Sequence, residues 1–174
     1  MTDASQPPIR VALISTGGTI EKTYDDLRGV LTNEISVLEV MLSRLELRGI
    51  DLERVSLMNK DSLEMTTEDH ALIAETALHK AREFDGVVIV HGTDRLAMTG
   101  HVIYEREPEP RVPIVLTGAM RPYELRSTDA IQNLVEAFLA VQLASPGVYV
   151  AIHNTLLSFP GVRKDPKLGT FVKD

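Results

Sequence analysis

Cysteine is absent from this chain of 174 residues, which excludes disulfides and thiolate-held metal sites. Basic runs are missing too. Lys and Arg number 18 against 25 Asp and Glu, for a formal net charge of −7, so the electrostatic footprint of a nucleic-acid partner is lacking. No apolar segment approaches the roughly 18 residues of a membrane span. The opening MTDASQPPIR lacks the charged-then-apolar order of a signal peptide. These absences predict a cytoplasmic protein with no nucleic acid and no membrane among its partners.

Several catalytic signatures are missing as well. No G-x-G-x-x-G follows the first apolar run, and G-x-x-x-x-G-K-[ST], G-x-S-x-G and H-E-x-x-H do not occur. His70, His79, His91, His101 and His153 share no ligand spacing, so no metal is expected. His70 and His79 are expected on a solvated helix face. His91, between an apolar run and Gly92, is expected to be buried with one satisfied hydrogen bond.

What is present is an ordinary globular balance, 44% hydrophobic and 25% charged. The length suits one domain over 1–174, with 1–8 as a polar lead-in. Val11–Ala12–Leu13–Ile14 reads as a strand buried on both faces. It runs into Ser15–Thr16–Gly17–Gly18–Thr19, where two glycines allow a sharp turn. Glu21 to Asn33 reads as a surface loop or short hairpin. Ile35, Leu38, Met41, Leu42 and Leu45 recur at helical spacing, with Gly49 as a stop. Val55 to Met58 reads as a strand leading into Asn59–Lys60–Asp61–Ser62. Thr66–Thr67–Glu68–Asp69 has the spacing of a capping box and opens a helix to Phe84. Val87 to Val90 is the clearest buried strand, ending in His91–Gly92–Thr93–Asp94. A helix over Leu96 to Ile103, a charged turn, a strand at Pro113 to Leu116, a helix capped by Ser127 or Thr128, and a strand at Val148 to Ile152 follow. The tail from Asn154 to Asp174 shows no period.

This alternation predicts an α/β fold, a doubly wound, mainly parallel sheet flanked by helices, Rossmann-like or flavodoxin-like. Strand C-terminal ends then share one edge, which collects Thr16, Thr19, Ser62, Thr93, Asp94 and Thr117. Such a rim suits a hydroxyl nucleophile with its helpers, or a cradle for a small polar ligand. Backbone N–H groups beside the glycines could stabilise an oxyanion.

Thr16–Gly17–Gly18–Thr19–Ile20, His91–Gly92–Thr93–Asp94 and Gly118–Ala119–Met120–Arg121–Pro122 together resemble the signatures of the bacterial-type L-asparaginase (asparaginase/glutaminase) family. The resemblance runs from about Ile9 to Lys164. It implies an amidohydrolase that releases ammonia from L-asparagine through a threonine nucleophile, without metal or organic cofactor. By motif position it implies Thr19 as nucleophile, Tyr24 as the group that takes or relays its proton, and Thr93, Asp94 and Lys164 as a second catalytic set. It implies substrate contacts at Gly18, Asp61, Ser62, Gly92, Thr93 and Asp94, with Asp94 on the α-ammonium and Ser62 on the α-carboxylate. Lysine desolvated at such a site could act as a base, and the oxyanion would face N–H groups near Gly18 and Thr93. Leu63 and Arg95 depart from the family's usual polar residue and threonine. Longer members carry a C-terminal domain that this chain lacks, so weaker substrate binding is expected. A homo-oligomer, dimer or tetramer, is implied. Two alternatives remain: a non-catalytic amino-acid-binding module, and the amidase subunit of a tRNA-dependent amidotransferase.

Overall fold

Val11 to Ile14 lie in strand β1 (Ile9–Gly17), and all four side chains are buried. A strand apolar on both faces needs cover on both sides, and the chain supplies it. The computed structural model describes residues 7–174, so most of the lead-in expected over 1–8 lies outside the described residues. After β1 come a 3-10 turn (Thr19–Glu21), the hairpin of β2 (Thr23–Asp25) and β3 (Val30–Thr32), helix α1 (Leu38–Leu42) and strand β4 (Ile50–Lys60). A second 3-10 turn (Ser62–Glu64) leads to α2 (Thr67–Glu83), β5 (Gly86–Val90), α3 (Leu96–Arg106), β6 (Pro113–Thr117), α4 (Ala130–Leu143) and β7 (Gly147–Ile152). The chain closes with β8 (Thr155–Ser158), β9 (Val162–Asp165) and β10 (Thr170–Lys173).

The sheet order is β4-β1-β5-β6-β7-β8. All its pairings are parallel except β7–β8, which is antiparallel. Helices α2 and α3 cover one face, where Ile73, Ala77, Leu96 and Ile103 meet Ile14, Ile89 and Leu116. Helices α1 and α4 cover the other, where Leu38, Met41, Leu134 and Phe138 meet Leu13, Val88 and Val115. Each of the larger of these side chains contributes roughly 1.5–3 kcal/mol on leaving water. This is the doubly wound α/β fold the sequence predicts. From β1 the sheet grows one way to β4 and the other way to β5, so the order reverses between β1 and β5. In open α/β sheets ligands bind at such a switch point, outside the carboxyl ends of the strands.

Several local expectations need correction. The helix read from Ile35 to Leu45 is the single turn and a half of α1, where Leu38 and Met41 are fully buried, Leu42 and Leu45 only partly so, and Ile35 is 68% exposed. The strand read at Val55 to Met58 starts five residues earlier. As an edge strand it buries only part of its side chains, so its pattern is broken. The tail without period contains three strands. The cap of α4 is Asp129, with Thr128 Oγ1 accepting from the Ala130 N–H at 3.0 Å. The capping box at Thr66 and Asp69 is present.

Candidate active site

At the end of β1 the backbone passes through Gly17 (φ 96°) and Gly18 (φ 85°), where a Cβ is costly. A Cβ on Gly18 would also lie 2.3 Å from Gly92 Cα. The turns after β1 and β5 therefore touch backbone to backbone. One on Gly92 would lie 2.6 Å from Ser62 Oγ, so Ser62 belongs to the same cluster. Thr19 stands half-buried at the start of the 3-10 turn, beside this contact.

The turn is tied from below. Gly18 N–H donates to the Lys60 carbonyl (2.8 Å) and Gly17 N–H to Glu21 Oε2 (3.1 Å). Asn33 Nδ2 donates to the Gly18 carbonyl at 2.9 Å. Glu21 is 1% exposed and also accepts from the Ser36 hydroxyl. Burial pushes its carboxyl above the usual range, outweighing the bonds from Ser36 and Gly17. The Gly18 N–H is thus committed to the Lys60 carbonyl. Among the described residues, the Thr93 N–H makes no such bond.

The second turn holds a compact ionic set. Lys164, on β9, donates from Nζ to Thr93 Oγ1 (2.9 Å) and to Asp94 Oδ1 (2.7 Å). The Lys164 side chain is 23% exposed and that of Asp94 44%. Desolvation of the lysine is therefore only partial. Asp94 does not cap α3. Arg95 holds that position, and its N–H donates to Ser62 Oγ at 3.3 Å. The Arg95 guanidinium turns to the Met65 carbonyl (2.7 Å), and Leu63 is exposed.

Tyr24 lies on β2, 59% exposed. Among the described residues no hydrogen bond joins its hydroxyl to Thr19. Asp61 caps the second 3-10 turn and pairs with Lys22 Nζ at 2.6 Å. Both line a polar groove of about 390 Å³ together with Asn33 and Asn59. Burial opposes ionisation of Asp61, but Lys22 and the Leu63 N–H hold its carboxyl below the usual range. Two hydroxyls of the expected rim are spent inside the sheet, Thr16 on the Val90 carbonyl and Thr117 on the Ala151 carbonyl, each at 2.8 Å.

Behind Thr93 runs a buried chain. His91 Nδ1 lies 2.8 Å from the Gly92 carbonyl, His91 Nε2 2.7 Å from Thr99 Oγ1, and Thr99 Oγ1 2.6 Å from His70 Nδ1. A carbonyl only accepts, so His91 Nδ1 carries the proton and Nε2 accepts from Thr99. Thr99 must then accept from His70. Burial holds the His91 imidazole down at about 4, and burial also lowers His70. His70 is 2% exposed, a correction to its expected solvated position. His79 is exposed, as expected, near Glu83 at 3.6 Å.

A cluster that the sequence did not announce lies at the β7 end of the same edge. His153 Nε2 contacts Asp129 Oδ2 at 2.7 Å, and its Nδ1 contacts Thr170 Oγ1 at 3.0 Å. Burial pushes Asp129 up, but bonds from Met120 N–H, His153 and Arg121 N–H hold its carboxyl below the usual range. Nothing in local periodicity marks such a contact, because it joins residues 24 apart and 17 apart.

Residues 10–166 match the family model for the N-terminal domain of asparaginase. The L-asparaginase of Thermococcus kodakarensis is 32% identical over 163 residues, covering 92% of this chain and 49% of that protein. The structure of the thermostable L-asparaginase from that organism matches with a TM-score of 0.83 and 31% identity, covering 95% of this chain and 51% of the other. A structure described as a probable cytoplasmic L-asparaginase from Campylobacter jejuni gives 0.77 at 30% identity, with coverages of 95% and 51%. A glutamyl-tRNA(Gln) amidotransferase component from Haloquadratum walsbyi is 33% identical over 147 residues, covering 82% of this chain and 33% of that one. The chain spans about half the length of these L-asparaginases.

Proposed function

The chain belongs to the asparaginase N-terminal family, and from that premise we propose that it is an amidohydrolase hydrolysing the side-chain amide of L-asparagine to L-aspartate and ammonia. The observation that carries the reading is the reach of Lys164 from β9 to Thr93 and Asp94. Water is a weak nucleophile at neutral pH, and here a threonine hydroxyl hydrogen-bonded to an amine beside a carboxylate is placed to take its proton.

In this reading Thr19 Oγ attacks the side-chain carbonyl carbon. Its proton passes by way of Tyr24 to the amide nitrogen, and ammonia leaves as the acyl ester forms on Thr19. Tyr24 serves this relay from the β2–β3 hairpin, where its ring is exposed. The Thr93–Lys164 pair then takes a proton from water, whose oxygen attacks the ester, and a proton returns to Thr19 Oγ as its bond to the acyl carbon breaks. The N–H of Thr93 faces the developing oxyanion. Asp94 binds the substrate α-ammonium, Ser62 holds its α-carboxylate, and Asp61, Gly18 and Gly92 line the substrate around these contacts. No metal or organic cofactor takes part. We read residues 1–174 as one domain, located in the cytoplasm and assembled as a homo-oligomer.

A second reading, the amidase component of a tRNA-dependent amidotransferase, is favoured by the similarity to the amidotransferase component from Haloquadratum walsbyi. The net charge of −7 counts against direct tRNA contact. Purified protein given free L-asparagine separates the two: ammonia release without tRNA supports the asparaginase. Thr19→Val should lower that rate on the order of a thousandfold or more, and a rate unchanged by Thr19→Val ends the proposal. The rates with L-glutamine, D-asparagine and a simple amide define the substrate range.

A further inference from the structure

Lys164 comes from a part of the chain that is not in the main sheet. Among the described residues, strands β9 and β10 pair only with each other, Asp165 opposite Thr170 and Lys164 opposite Phe171. Directly opposed residues share a face. On the Lys164 face, Val162 and Phe171 are buried against the core. On the other face, the Thr170 hydroxyl reaches His153. The hairpin is thus gripped by apolar packing on one side and by a polar contact on the other.

That polar contact rests on a constrained backbone. His153 (φ 51°) and Asn154 (φ 60°) are consecutive non-glycine residues in the left-handed region, a conformation that persists only where surroundings impose it. Three groups on or beside α4 impose it. His153 N–H donates to Asn133 Oδ1 (3.0 Å), Asn154 N–H to Glu136 Oε2 (2.8 Å), and His153 Nε2 meets Asp129 Oδ2 (2.7 Å). Asn133 Nδ2 in turn donates to Asp129 Oδ2 (2.9 Å) and to the Gly118 carbonyl (2.8 Å). Nε2 meets a carboxylate that is 4% exposed, which leaves Nδ1 facing the Thr170 hydroxyl.

We infer that Asp129, His153 and Thr170 form a positioning relay that fixes the β9–β10 hairpin and thereby aims Lys164 Nζ at Thr93 and Asp94. None of the three touches the substrate as proposed, so they are positioning residues. The inference rests on the reading of Lys164 given above. Its effect belongs to chemistry more than to binding, because a small displacement of a proton-transfer group lowers turnover steeply.

The test compares Thr170→Val, which keeps shape and loses the hydroxyl, with Thr170→Ser, which restores it. Two measurements are made. Thr170→Val should speed amide hydrogen exchange across Val162 to Lys173 by about tenfold and lower kcat by about tenfold, with KM within about twofold. Thr170→Ser should restore both. His153→Gln, whose amide can still donate to Asp129 but places no atom where Nδ1 meets Thr170, should behave as Thr170→Val. If the wild-type protein releases no ammonia, the functional reading falls while the exchange comparison still decides the anchoring. Unchanged exchange in Thr170→Val overturns the relay. So does a loss carried entirely by KM, or a Thr170→Ser variant no better than Thr170→Val.

Discussion

Gly18 and Gly49 have nearly the same φ, 85° and 82°, yet only one has neighbours. A Cβ on Gly49 would meet nothing within 4 Å, whereas one on Gly18 would lie 2.3 Å from Gly92 Cα and 2.4 Å from Gly92 N. Alanine at Gly49 therefore meets only the left-handed backbone cost, about 1 kcal/mol. At Gly18 it must also separate the turns after β1 and β5. The expected outcome is a small loss of Tm for Gly49→Ala with ammonia release intact. Gly18→Ala should lose a further 1–3 kcal/mol or so together with most of the activity, measured by thermal melting and the ammonia assay. Equal effects from the two would show that the turn contact is immaterial. The importance of Gly17 and Gly18 could be read from the sequence, because glycine beside a strand end has few other reasons to be there. The commitment of Gly18 N–H to Lys60, and of the buried Glu21 to Gly17, could not. Both depend on which distant segments fold alongside the turn, and a single acid after Ile20 looks like any surface charge.

Among the elements, legibility follows burial. β5 and β6 are buried at every position, so their apolar runs stand out. β8, β9 and β10 have four residues each, and β9 and β10 bury one side chain apiece, Val162 and Phe171. One buried residue makes no period, and a hairpin carrying Lys164 therefore reads as a tail. What holds this region to the body can be tested on α3. Gly100 lies within that helix, and a Cβ there would sit 2.0 Å from Phe159 Cζ. The Phe159 ring is 5% exposed and edge-on to His101 with centroids 5.0 Å apart, so it has little room to yield. Helix propensity alone makes Gly100→Ala stabilising by about 1 kcal/mol. Overpacking opposes this by about 1–3 kcal/mol, and the clash wins. Gly100→Ala should melt at a lower temperature than wild type, and Gly100→Ala with Phe159→Leu should recover part of the loss. A rise in Tm for the single variant would mean that propensity outweighs packing at this contact.

The molecule as a whole carries its acid sensitivity in an unequal set of groups. The His91 imidazole is held at about 4 against an ordinary 6.5 by burial, with His70 lowered beside it. A base with a depressed folded pKa binds its proton in the unfolded chain first. Stability is therefore whole above pH 6.5 and falls as the pH drops toward 4. At pH 5 His91 alone removes about 2 kcal/mol. Glu21 has the opposite sign, since its raised carboxyl takes a proton in the folded state first and returns some stability as pH falls. Asp129, Asp61 and Asp69 are lowered, so their contributions are lost only below the ordinary carboxylate value of 3.8. The order of events on acidification is then histidine first and aspartates second. Denaturant titrations at pH 7.5, 6, 5 and 4 should show stability already declining between 7.5 and 5, well before the carboxylates titrate. In His91→Gln, which starts from a lower stability because the bond to Thr99 is disturbed, that early decline should shrink by about 2 kcal/mol at pH 5, leaving the smaller slope due to His70. A wild-type stability flat from pH 7.5 to 5 would mean that the buried chain from Gly92 to His70 accepts a proton without unfolding, and the His70 Nε2 atom, which has no hydrogen-bond partner among the described residues, would be the place for it to go.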